Sequence, residues 1–544
     1  MPFTWFRKNW SAYSLLLLLV LITYGNSLNN VFLSDDLPEI VNNPNIGNLN
    51  VALSTHPTGF IRPVLYFLLF HLGGLNPTLF RLTNLFFHIG STFLIYILLN
   101  LLYFKEKQSK LPLIVASIFA IHPAISEAVV WISGGMYTQY TFFFLLSFLL
   151  YILSAKRKLL FLLAIFSFLL SFMSHPQMPL SLFVIFPLVE FCFGNIKKNW
   201  KKSIPFLIVT IGYMLITLNN IPERETVLQT VHYQTSGVDN PFVLIPVAIT
   251  SYFELIFLPK TLTLYHSELS FGSLNFAIRV IISILFFAGI IFGFKKNKSI
   301  FFWLSFFVIA LSPTLTPFRL NWIVAERYLY LPILGILVVC GLGLAKLFEI
   351  KKIKFLSYTV FAGLLILLCA RTIVRNIDWK NEDNLWIATG KTSPSSPNTH
   401  NNLGDVYGRN GNKQAALREF QKAIELKPNY ADAYHNLANT YRELNQNDKA
   451  IENYQKALQY NPNLWQSYQN IGAIYYQNKQ YDKALQEFQK AILVNPRNIN
   501  LRNNLGVIYL GSGNKEKAKE VFNLVLSADP QNQFALAGLA EASK

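Results

Sequence analysis

The sequence predicts an all-α protein in two parts: a polytopic membrane helix bundle of about eleven spans, then an α-solenoid of short repeats. Three observations predict it. Only 14% of the 544 residues are charged and 52% are hydrophobic, whereas soluble domains carry roughly a quarter charged residues. The depletion is confined to residues 11–370, a succession of apolar blocks, and beyond Arg371 the chain turns polar and rich in Asn, Gln and Lys. Finally, prolines recur at Pro394, Pro428, Pro462, Pro496 and Pro530, a regular spacing that marks a stacked helical repeat.

A spanning helix needs roughly 20 apolar residues. The blocks that qualify are 11–28, 79–104, 111–128, 137–154, 159–174, 177–193, 203–218, 241–258, 274–294, 299–314, 328–344 and 355–370. The first has the basic flank of a signal peptide in Arg7 and Lys8 but no small-residue cleavage site, and reads as an uncleaved anchor. The stretch 63–72 is shorter and suits the interface. The block at 241–258 carries Pro241, Pro246 and an acid, Glu254, in its middle. That combination predicts an irregular segment packed against protein rather than a crossing.

The net charge of +18 resides largely in short basic clusters between apolar blocks: Arg7-Lys8, 105–110, 156–158, 197–202, 295–298 and 346–354. Such clusters orient membrane proteins, and nucleic-acid binding is not expected. With Arg7 and Lys8 in the cytoplasm and 241–258 not crossing, every cluster falls on the cytoplasmic side. The chain is then a multi-pass protein of the cytoplasmic membrane with its C-terminal part extracytoplasmic. Arg371 and Arg375 lie just outside the last span, against this pattern. The three cysteines, Cys192, Cys340 and Cys369, lie within apolar blocks and build no disulfide framework.

Between the prolines a helix pair recurs. Leu403-Gly404 and Tyr407 precede Ala416, Phe420 and Ala423; the same register returns through Ala438 and Tyr454, Gly472 and Phe488, and Gly506 and Phe522. A small residue lets two helices cross closely while an aromatic fills the space beside it, the signature of tetratricopeptide (TPR) repeats. The division is 1–376 for the membrane part, 377–394 for a linker and 395–544 for four repeats plus a capping helix. Such a groove usually binds a protein or peptide, and Asn402, Asn436, Asn470 and Asn504 stand at its inward positions. The plainer reading is a spacer or an oligomerisation surface.

The extracytoplasmic segments collect the acids. Asp35 and Asp36 follow the first span directly, with Pro38 and Glu39 behind them; Glu127, Glu223, Glu225, Asp239, Glu268 and Glu326-Arg327 come later. Adjacent carboxylates raise each other's pKa, which suits a general base or a ligand for a divalent ion or sugar phosphate; a capped turn is the alternative. His122-Pro123 breaks the third span one turn before Glu127, and Arg62-Pro63, Arg81 and His88 flank the second. Taken singly, a residue such as His88 reads as packed and satisfied. As a set they suit a charged substrate.

The motifs Phe32-Leu33-Ser34-Asp35-Asp36, Val41-Asn42-Asn43-Pro44, Arg62-Pro63, Gly73-Gly74-Leu75-Asn76-Pro77, His122-Pro123 through Glu127 to Gly134, and Glu326-Arg327-Tyr328-Leu329-Tyr330-Leu331-Pro332 resemble those of the transmembrane-and-TPR-containing O-mannosyltransferases and their bacterial relatives. The resemblance runs over almost the whole chain, and the short repeat array and Asn-, Lys- and Ile-rich composition fit a bacterial member. It implies a GT-C glycosyltransferase fold and transfer of a sugar from a polyprenyl-phosphate lipid to a protein hydroxyl on the extracytoplasmic face. By the same resemblance Asp35 is the general base and Asp36 orients acceptor or phosphate, or helps bind a divalent metal where one is used. Arg62, His122 and Arg327 then meet the lipid phosphate, positioned by Glu127 and Glu326. Two other classes compete: a non-catalytic TPR scaffold for envelope assembly, and an oligosaccharide ligase or polymerase, which would rely on a large late external loop.

Overall fold

The computed structural model describes residues 9–54, 59–103, 110–218, 240–315 and 322–544. Arg7, Lys8, Lys105, Lys107, Glu223, Glu225 and Asp239 lie outside the described residues. The chain divides into two units, Met1–Thr392 and Ser393–Lys544. The stretch 377–394, expected as a linker, is mostly helical: it holds the end of Lys354–Asp378 and the helix Glu382–Thr392, which belongs to the first unit.

In the first unit every apolar block is helical. Helix starts follow local chemistry. Asn76 accepts a hydrogen bond from Thr78 N and Pro77 occupies the first turn of Pro77–Leu102, while Asn297 accepts from Ser299 N and Ile300 N to open Lys298–Leu311. Among the described residues, five helices are long and apolar enough to cross a membrane: Trp10–Ser27, Pro77–Leu102, Gly135–Leu153, Ser273–Lys296 and Lys354–Asp378. The pair Leu111–Ile121 and Pro123–Val130 adds a sixth if taken as one span, bent by 59°. The remaining apolar helices run 10–17 residues, so length and composition alone support five or six spans and leave the other expected crossings to shorter helices. A helix of 17 residues reaches only about 25 Å. The outer faces are apolar, with Leu274 78% and Phe355 85% exposed, as lipid-facing surfaces are.

One expectation is corrected. The 241–258 segment is a regular α-helix, Pro241–Phe257, with Pro246 inside it and buried. Its acid is answered by Arg279 on the next helix, whose Nη2 lies 2.7 Å from Glu254 Oε1; the sequence marked the acid but not its partner. The charges at Arg371 and Arg375 are also accounted for. Arg371 donates to the carbonyls of Pro259 and Lys260 at 3.1 Å each, and Arg375 is fully buried between Glu326 and Asp378. Both arginines are thus bonded within the protein.

The second unit is a run of antiparallel helix pairs from Pro397–Arg409 to Lys515–Ala528, closed by Gln533–Ala542. At each crossing the small residue faces the aromatic. A Cβ added to Gly472 would stand 2.6 Å from Phe488 Cδ2, and one on Gly506 2.6 Å from Phe522 Cε1. Gly472→Ala is therefore expected to overpack the joint and cost about 1–3 kcal/mol, read as a lower urea midpoint of the repeat helices. Asparagines tie one repeat to the next: Asn436 Nδ2 donates to Asn401 Oδ1 at 3.1 Å and Asn470 Nδ2 to Asn439 Oδ1 at 3.0 Å. Asn436, Asn439 and Asn470 border a cavity of about 460 Å³ that Arg442 and Trp465 also line.

Candidate active site

The site is assembled on the segment that follows the first helix. Asp36 is fully buried and its carboxylate is committed to the protein: Oδ1 accepts from Ser133 N at 2.8 Å and Ser133 Oγ at 2.6 Å, and Oδ2 from Leu33 N at 3.2 Å. Burial pushes its pKa up to about 6 against the pull of these donors and of Arg81. Ser133 is delivered by the Trp131-Ile132-Ser133-Gly134 turn. Asn84 holds that turn through the Trp131 and Ile132 carbonyls at 3.0 and 3.3 Å, and Arg81 Nε donates to Val130 O at 3.0 Å. Arg81 also donates to the carbonyls of Asn30 and Val31, so one buried guanidinium staples the acid loop to the bent third span.

This leaves Asp35 as the exposed member of the pair. Desolvation by the surrounding protein raises its pKa; Arg327 and Arg62, within electrostatic reach, pull it down, Glu382 pushes it up, and the net shift is upward. The two arginines are held by their own acids. Arg62 Nη2 lies 3.1 Å from Glu39 Oε1, and Glu39 Oε2 lies 3.4 Å from Ser133 Oγ. Arg327 Nη1 lies 2.6 Å from Glu127 Oε1, and the Arg327 backbone N donates to Glu127 Oε2 at 3.1 Å. A guanidinium has five N–H groups, so among the described residues each arginine uses only part of its donor set. Beside Arg62 and Glu39 a cavity of about 370 Å³ opens, lined also by Asn43, Asn45 and Tyr66.

The structure thus brings together Asp35, Asp36, Arg62, Glu127 and Arg327. Two expected members stand apart. His122 is buried, with Nε2 donating to Ile256 O at 3.0 Å and Nδ1 accepting from Ala124 N at 3.2 Å. It is a neutral cap at the span's bend with no donor left for a phosphate. Glu326 pairs with Arg375 rather than Arg327, at 3.2 and 3.3 Å from its two oxygens. His88 is likewise satisfied, bonded to Tyr330 Oη at 2.7 Å and Ala120 O at 3.1 Å. Among the described residues no three of His, Cys, Asp and Glu converge as a metal-binding group.

Sequence reasoning missed Glu382. Ser34 carries a left-handed backbone, φ +53°, which is uncommon for a residue with a side chain. Its N–H donates to Glu382 Oε1, while Glu382 Oε2 accepts from Trp386 Nε1 at 2.6 Å. Lys380 O, just before that helix, accepts from Val31 N at 3.1 Å. An acid in a helix's first turn is so common that nothing in the sequence singled it out. Glu382→Gln is expected to keep the fold and shift the acid limb of the activity profile to lower pH, because the charge it removes holds the Asp35 pKa up.

Against this geometry, the comparisons with known proteins fall into two groups. Tetratricopeptide repeat profiles match residues 431–464 and 499–532, and further TPR profiles match 412–441, 453–486 and 472–513. Residues 412–532 are tetratricopeptide repeats. Over a longer stretch the chain is 26% identical to protein O-mannosyl-transferase F38B6.6 of Caenorhabditis elegans, covering 76% of this chain and 63% of that protein. It is 25% identical to protein O-mannosyl-transferase TMTC3 of Mus musculus, covering 77% and 52%. The chain therefore spans between half and two thirds of the length of these two relatives. The similarity covers more of this chain than either unit alone supplies. A crystal structure of MamA protein resembles 27% of the chain and 80% of its own at 24% identity and a TM-score of 0.25; nothing further follows from it.

Proposed function

We propose that the protein is a membrane glycosyltransferase. It moves a sugar from a polyprenyl-phosphate donor to a Ser or Thr hydroxyl of a protein acceptor, with the TPR groove binding the acceptor or a partner. One observation carries the reading: an exposed carboxylate, Asp35, within electrostatic reach of Arg62 and Arg327, beside an Asp36 whose carboxylate is spent on folding. Similarity to proteins named O-mannosyl-transferases, reaching past the first unit, supports the same class, as does the resemblance to the GT-C enzymes.

Asp35 takes the proton of the acceptor hydroxyl as its oxygen attacks the anomeric carbon. The bond from that carbon to the phosphate oxygen breaks, and the electron pair leaves with the phosphate. Arg62 and Arg327 receive the charge that develops there, Glu39 and Glu127 keeping their forks in place. The raised pKa of Asp35 makes it a stronger base than a free aspartate.

The shorter apolar helices complete about eleven crossings in this reading. The Asp35 loop and the repeats then face one extracytoplasmic compartment of the cytoplasmic membrane. The direct test is transfer of label from a polyprenyl-phosphate sugar to a Ser/Thr peptide by the purified chain, across a panel of sugars. Transfer to a hydroxyl supports the reading; a chain that transfers none of them while assembling envelope complexes through its repeats is the scaffold instead.

A further inference from the structure

A second cavity, of about 400 Å³, lies between the outer ends of Pro241–Phe257 and Ser273–Lys296 and the stretch 258–271 that joins them. Its size is that of a small-ligand pocket, roughly 300 to 1,000 Å³. Neither the resemblance nor the relatives' names assign it. One segment separates it from the Asp35 site. Tyr265, on that segment, stands within electrostatic reach of Asp35 and Arg327 and packs 6.0 Å from the Trp386 ring. Thr263 and His266 line the cavity, and the Thr263 N–H donates to Glu326.

The lining chooses among ligands. Arg279 is buried, with its guanidinium 3.8 Å over the Phe271 ring, and it donates to Glu254, to Thr250 Oγ1 at 2.7 Å and to Asn275 Oδ1 at 3.1 Å. Its charge is therefore answered by protein. A second acid, Glu268, lines the wall. His266 is kept neutral by burial and by Arg375 and Arg327, its pKa down at about 3, and its buried Nε2 has no hydrogen-bond partner among the described residues. Two carboxylates against one neutralised arginine repel phosphate. They accept hydrogen bonds well, however, and hydroxyls such as Thr261 both give and accept them, while Phe271 and Leu269 offer apolar surface. Acceptors, hydroxyls and an aromatic around a small cavity suit a neutral polyol with apolar ring faces.

We propose that this cavity binds a neutral saccharide of one or two rings, deepening the glycosyltransferase reading, on which it rests. The saccharide comes either from the donor lipid or from a glycan already on the acceptor. The full chain in lipid nanodiscs, free of sugar-headed detergent, is titrated with mannobiose, N-acetylglucosamine and galactose, with glucose 6-phosphate as the anionic control, and binding is read by saturation-transfer NMR. Expected is binding of at least one neutral sugar, weakened at least tenfold by Thr261→Leu or Glu268→Gln at the exposed rim and retained in Asp35→Asn. No binding by any of the three, equal binding in both rim variants, or preference for glucose 6-phosphate overturns the proposal. Displacement by a short-chain prenyl phosphoryl sugar assigns the cavity to the donor, and simultaneous binding assigns it to an acceptor glycan. Transfer without saccharide binding sinks this proposal alone, whereas binding without any transfer sinks the transferase reading.

Discussion

Asp35→Asn should abolish sugar transfer, lowering kcat by about 10²–10⁴-fold, while the protein elutes and melts like the parent. The side chain is exposed and its loop is built by Asp36, Ser133 and Glu382, so the substitution removes a proton acceptor and no structural bond that the loop needs. The pH profile gives the sharper reading. A base works only when ionised, so activity is lost as pH falls through the Asp35 pKa, which stands above the ordinary aspartate value. Arg62 pulls that pKa down and Glu382 pushes it up. Arg62→Met should therefore move the acid limb to higher pH and Glu382→Gln to lower pH, opposite displacements that a general loss of folding does not produce. Arg62→Met should also raise the KM for the lipid donor if the guanidinium meets its phosphate. Equal kcat in Asp35→Asn and the parent would remove this residue from the chemistry.

Arg375→Ala should have the largest effect on stability. The pair with Glu326 is fully buried on both sides, at 3.2 Å. Breaking such a pair leaves an uncompensated charge and costs about 3–5 kcal/mol. Asp378, 3.0 Å from Arg375 Nη1, loses its partner too, but it is partly exposed and water can take over. Glu326→Gln should cost less than Arg375→Ala, because Asp378 still faces the guanidinium. The double variant Glu326→Gln with Arg375→Met should recover much of the loss, since neither charge is then stranded. Thermal unfolding of the purified chain in lipid nanodiscs measures all three. Additive losses in the double variant would show that the two residues do not act as a pair.

The legible features were those set by periodicity and composition. Apolar blocks of about 20 residues gave the main helices of the first unit, though not Glu382–Thr392, and the regular proline spacing with its Gly and Phe partners gave the repeats. The Asp35-Asp36 pair was legible as a site, but not the division of labour inside it. One carboxylate folds the loop and the other faces solvent, which depends on Ser133 arriving from a turn nearly a hundred residues away. The same limit hid Glu382, His266 and the Arg279–Glu254 pair, each meaningful only through a partner distant in sequence. His122 misled because a histidine before a proline looks the same whether it binds phosphate or caps a bend. The span count was less legible, because block length measures apolarity, whereas crossing also depends on how long an unbroken helix the block makes.

The account requires the Asp35 loop and the TPR repeats to meet one aqueous compartment. Single cysteines placed at Asn45→Cys, Asn500→Cys and Lys198→Cys, in a background where Cys192, Cys340 and Cys369 are replaced by serine, can be probed in intact cells with an impermeant maleimide. All three positions are exposed. Labelling at 45 and 500 with protection at 198 is the predicted result. Labelling of only one of the first two would place acceptor groove and base on opposite faces of the membrane and contradict the account.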